Sequence, residues 1–73
     1  MDKQQDALLK LGRRLTDLRQ RQNLSLAQLS ARTGLTGPEI AAIEAGETDP
    51  AITTLLTLCR GLGIPPGELL PRE

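Results

Sequence analysis

The sequence predicts an all-α domain of five short helices, and three observations carry that expectation. Leu, Ala, Gln, Glu and Arg, all good helix formers, dominate the composition. Phe, Tyr and Trp are absent, so a core must be built almost wholly from Leu, Ile and Ala. A chain of 73 residues cannot bury a generous core, which puts the burden of stability on short helices with well-capped ends. One domain is expected over residues 6–70, with flexible ends at 1–5 and 71–73.

The first helix follows from Leu8, Leu11, Leu15 and Leu18, whose spacings of three and four lay one apolar stripe along about residues 6 to 22. A second helix starts at Ser25, an N-cap with Gln28 three residues on as a capping box and Leu24 with Leu29 as a hydrophobic staple. Gly34 ends it. The third repeats the device with Thr36 as N-cap, Glu39 at the third helical position, Leu35 and Ile40 as the staple, and Pro38 in the first turn, where its missing N–H costs nothing. Gly46 stops that helix. After the Pro50 loop a fourth helix places Ile52, Leu55, Leu56, Cys59 and Leu62 on or near one face, with Gly61 weakening its last turn and Gly63 ending it. The C-terminal stretch allows a single helical turn around Glu68 to Leu70.

Charge is segregated despite a formal net charge of zero. Residues 1 to 32 carry seven Lys or Arg against three acids, a net +4, whereas residues 33 to 59 hold Glu39, Glu44, Glu47 and Asp49 with no cation, a net −4. Such asymmetry marks a directed interaction. An enzyme is disfavoured, because the chain has no His and its lone Cys59 has no neighbouring base. Cys59 lies in an apolar run and reads as a buried, reduced thiol; neither a metal nor a cofactor is expected. Without aromatic side chains there is no platform for stacking single-stranded bases. No apolar run approaches the roughly 18 residues of a membrane span, and no signal peptide is visible, so a cytoplasmic setting without membrane contact is expected.

Two helices joined by a tight turn form a helix-turn-helix unit, whose second helix lies in the major groove of DNA. From Leu11 to Leu70 the chain resembles the Cro/C1-type, or XRE, helix-turn-helix family, similar in fold to lambda repressor. The resemblance is carried by Leu15 to Arg19, the "GLT" turn at Gly34 to Thr36, Ile40 to Gly46 as "IxxIExG", Pro50, and Thr54 to Ile64 as "TLLxLxxxLGI". It implies a sequence-specific regulator of transcription, a repressor acting as a homodimer on duplex DNA.

The positions that the resemblance turns toward the groove are Thr36, Gly37, Pro38, Glu39 and Ala42. Arg and Lys read guanine and Asn and Gln read adenine, and none of these four residue types occurs there. The remaining contacts expected are to the backbone: Arg13 and Arg14 on the first helix, Gln28 and Arg32 on the second, the Thr36 hydroxyl, and the amides at the head of the third helix. Ala42 or the Pro38 ring offers apolar contact to a thymine methyl. A second reading keeps the fold and replaces DNA by a basic protein partner, as in an antitoxin or inhibitory subunit, held on an acidic surface around Glu39, Glu47 and Asp49. The dimer interface is expected at Ile64, Leu69 and Leu70.

Overall fold

The computed structural model describes residues 3–70, a bundle of five helices with the elements α1 (Lys3–Arg21), α2 (Leu26–Thr33), α3 (Gly37–Glu44), α4 (Ile52–Leu62) and α5 (Pro66–Leu69). The expected flexible ends at residues 1–2 and 71–73 lie outside the described residues. Residues 3 to 5, also expected in the flexible end, are helical: α1 starts one exposed turn before its apolar stripe, and Gln4 Nε2 donates to Asp49 Oδ2 at 3.3 Å. A stripe-based reading cannot see a turn that buries nothing.

The two central helices start as their sequences dictate. Ser25 Oγ accepts from the Gln28 N–H at 3.0 Å and Gln28 Oε1 accepts from the Ser25 N–H at 2.8 Å, a complete capping box. Thr36 Oγ1 accepts from the Glu39 N–H at 3.1 Å, but the Glu39 carboxylate accepts from the Thr36 hydroxyl at 3.2 Å and does not return to the backbone. The second box is therefore half-formed.

The buried core consists of Leu11, Leu15, Leu24, Leu29, Ile40, Ile43, Leu55, Leu58, Cys59, Leu62 and Leu69. Burial raises the pKa of the Cys59 thiol, which keeps it protonated and unreactive. On α4 the buried row is Leu55, Leu58, Cys59 and Leu62, spaced three, one and three. Ile52 and Leu56, expected with that row, point away from it and are exposed. A second correction concerns the C-terminus: Leu69, expected at a dimer surface, is fully buried, and Ile64 and Leu70 are half-buried against the same core. The turn that carries Leu69 begins at Pro66, earlier than expected, and folds back onto α4 and α1. Leu69→Ala is expected to cost about 2–5 kcal/mol in denaturant unfolding, the range for truncating a buried leucine. A change in mass with unaltered stability would contradict that placement.

α3 is fixed against α1 by two features. Gly12 is buried where the helices cross, and a methyl there would lie 2.6 Å from the Ile43 carbonyl oxygen and against that of Glu44. About two helical turns further along α1, Arg19 forms a bidentate ion pair with Glu44, Nε to Oε2 at 2.7 Å and Nη2 to Oε1 at 3.1 Å. Its Nη1 also donates to the Leu24 carbonyl at 2.7 Å, so one guanidinium ties α1, the turn before α2 and the end of α3 together. The hydrogen bonds that Arg19 donates to Glu44 are the main reason its pKa is raised.

Candidate nucleic-acid interface

The turn between α2 and α3 is locked from inside. Thr33 Oγ1 donates to the Leu29 carbonyl at 2.9 Å and accepts from the Leu35 N–H at 3.2 Å, while Ser30 Oγ donates to the Leu35 carbonyl. Leu35 packs against the core, and Gly34 takes the left-handed conformation at the end of α2. These contacts set the angle at which α3 leaves the turn.

With Ile40 and Ile43 committed to the core, α3 turns Pro38 and Glu39 outward, with Gly37, Ala41 and Ala42 partly covered and its C-cap Ala45 exposed. No side chain on this face is long enough, and of the right kind, to bond paired donors and acceptors of a purine. At the head of the helix Pro38 has no N–H and the Glu39 N–H is taken by Thr36, which leaves the Thr36 and Gly37 amides. The Thr36 hydroxyl, expected as a phosphate donor, spends its hydrogen on Glu39. Beside α3, Glu39, Ala42, Thr48, Pro50 and Thr54 line a shallow groove of 250 Å³, and the exposed Glu47 and Asp49 continue its acidic edge.

The expected basic contacts are dispersed. Arg13 and Arg14 line a groove between α1 and α5 with Lys10 and Glu68, where Arg14 Nε donates to the Glu68 carbonyl. Arg32 reaches toward the Gly61 carbonyl at the end of α4, 3.4 Å away. Gln28 gives its Oε1 to the capping box of α2 and stays exposed. The fold thus brings together Thr36, Gly37, Pro38, Glu39 and Ala42, as expected of one helix, but does not gather the three arginines around them. Arg21, at the end of α1, is exposed and is the cation nearest in the chain to the Ser25 cap. Its i, i+4 pair with Asp17 at 3.0 Å is solvent-exposed and weak.

A family model described as "Helix-turn-helix domain" matches residues 10–72. The chain belongs to the helix-turn-helix family. As a helix-turn-helix domain it is 40% identical over 53 residues, 73% of its own length, to the HTH-type transcriptional regulator PuuR of Escherichia coli (strain K12) and to that of Shigella flexneri. The chain spans about 29% of the length of these curated relatives. Among solved structures it is similar to the restriction-modification controller protein C.AhdI from Aeromonas hydrophila, with a TM-score of 0.84 and 33% identity over 86% of this chain and 96% of that one. An HTH_3 family transcriptional regulator from Vibrio cholerae gives a TM-score of 0.87 and 27% identity, covering 90% of this chain and 37% of the other. The fold is the five-helix, Cro/C1-like helix-turn-helix of the XRE type, consistent with a DNA-binding regulator of transcription. No helix among the described residues is long and apolar enough to cross a membrane.

Proposed function

We infer that this helix-turn-helix domain binds duplex DNA as a homodimer on a two-fold operator and represses transcription, holding phosphates through backbone amides and flanking cations while reading few bases directly. The observation that carries this reading is the outer face of α3: the helix is capped, held rigidly against α1 and exposed, yet it offers Gly37, Pro38 and Ala42 where a strong reader places Arg or Gln. A smooth helix can approach the groove closely, and sequence preference then comes from thymine methyls and from DNA shape. The names of its relatives, transcriptional regulators and a controller protein, support the same direction. The amides at the heads of α2 and α3 supply phosphate donors without a basic side chain. A domain proposed to occupy this role acts on DNA in the cytoplasm.

The acidic edge formed by Glu39, Glu47 and Asp49 specifically favours one other reading, a basic protein partner docked on the same face. The two readings separate on a single substitution. Glu39→Gln removes a negative charge at the helix head and is expected to tighten binding to a mixed-sequence duplex about two- to fivefold at low salt, the ~0.3–1 kcal/mol one charge is worth at that position. Fluorescence anisotropy, with circular dichroism to verify folding, measures it. Unchanged or weaker binding would show that α3 does not approach phosphate.

A further inference from the structure

The segregated charge of the chain is not discharged within the fold. Among the described residues, Arg19 is the one cation of the basic half that pairs with an acid of residues 33 to 59. Three others, Lys10, Arg13 and Arg14, line an open groove of 740 Å³ between α1 and α5, together with Asp17, Glu68 and Leu70. Lys10 and Arg13 are exposed and make no hydrogen bond or ion pair among the described residues. Arg14 is aimed by its Nε, which donates to the Glu68 carbonyl and leaves Nη1 and Nη2 without a partner among the described residues. Asp17 is answered by Arg21, which leaves Glu68 as the unpaired carboxylate of the groove. At about 100° per residue, Lys10, Arg13, Arg14 and Asp17 lie roughly 100–160° around α1 from Gly12, where α3 crosses. The groove therefore faces away from α3, and a duplex laid on the outer face of that helix leaves its cations uncovered.

We propose that the α1–α5 groove binds an acidic segment of a second protein, with carboxylates on Lys10, Arg13 and the open donors of Arg14 and an apolar side chain against Leu70. The exposed rim does not enclose a small molecule, which needs most of its surface buried. An extended peptide spaces its carboxylates, so it meets the three cations while passing Glu68 with an uncharged residue. A nucleic-acid backbone carries a charge on every phosphate and has no apolar group for Leu70. The groove thus gives the domain a second contact face, on the far side of α1 from α3. Its occupation does not depend on the DNA reading above, and the two are tested separately.

Fluorescence anisotropy of a labelled peptide of Asp, Glu and Leu, titrated with the chain beside a labelled mixed-sequence duplex, tests it. The peptide is expected to bind with a dissociation constant below about 1 mM, and a peptide of Asn, Gln and Leu about fivefold more weakly or worse. Lys10→Glu is expected to weaken the acidic peptide about fivefold with duplex affinity and the helical signal unchanged, and Glu68→Gln to tighten it about twofold. Absence of peptide binding in that range, or binding indifferent to both substitutions, overturns the proposal. Equal weakening of peptide and duplex by Lys10→Glu overturns it as well, because the groove then holds polyanions of any kind. A chain that binds the peptide but no duplex supports the groove and overturns the DNA reading alone.

Discussion

Gly12→Ala is expected to destabilise the domain by about 2 kcal/mol or more, against the roughly 1 kcal/mol that alanine gains over glycine within a helix. The substitution separates helix propensity from packing, because the two effects have opposite signs at this position. The obstacle is backbone: the added methyl meets the carbonyls of Ile43 and Glu44, which cannot rotate away as a side chain does. α1 and α3 must move apart, and the row formed by Leu11, Leu15, Ile40 and Ile43 loosens with them. For a domain of this size the midpoint of thermal unfolding falls on the order of 10 °C. Gly37→Ala is the control, since nothing lies within 4 Å of a methyl there. A stabilised Gly12→Ala would mean that α1 and α3 do not cross at this glycine.

Breaking the Arg19–Glu44 pair has the second large effect. The two side chains are only 13% and 11% exposed, and each is the other's charge partner. Arg19→Met or Glu44→Leu alone leaves an ion in the interior without compensation and costs about 3 kcal/mol. Arg19 carries the additional bond to the Leu24 carbonyl, so its loss is expected to be the larger of the two. The double substitution removes both charges and costs less than the sum of the single ones. Denaturant unfolding of the four proteins measures the coupling directly. Additive losses would show that the pair is solvated and contributes little.

These two sites show what the sequence reveals and what it hides. Capping residues act on amides two or three positions away, so Ser25, Gln28, Thr36 and Gly34 announce the limits of α2 and α3 correctly. Gly12 and the Arg19–Glu44 pair act across 25 or more residues, and nothing local distinguishes them from an ordinary helical glycine and two surface charges. On α4 the leucines and isoleucine occur on more than half of the helix circumference, so the pattern alone did not separate the buried Leu58 from the exposed Leu56. The C-terminal turn is ambiguous for a similar reason. A short apolar segment reads equally well as interface or core until its path is known, and Leu69 is core.

At the candidate contact surface the sequence places the residues of one helix together but says little of how other elements are arranged around them. Thr36, Gly37, Pro38, Glu39 and Ala42 are consecutive or one helical turn apart and share the head of α3 by necessity. Arg13, Arg14 and Arg32 owed their place to chain proximity and charge, and their hydrogen bonds take two of them to α5 and α4. What holds α3 in place is thus separate from what α3 displays. Its inner face and its end are anchored by Ile40, Ile43 and Glu44, while its outer face is free to carry small residues at no cost to stability.

An amide NMR titration with a mixed-sequence duplex, at low and then raised salt, tests the proposal of DNA binding most directly. Non-specific binding of this class has a dissociation constant of about 10⁻⁴ to 10⁻⁶ M, within reach of the method. Salt-sensitive shifts clustered at the heads of α2 and α3, from Ser25 to Gln28 and from Thr36 to Ala42, are the expected result. Shifts absent at both salt concentrations, or confined to the α1 and α5 groove around Arg13 and Arg14, would contradict it and assign the acidic face of α3 to a protein partner.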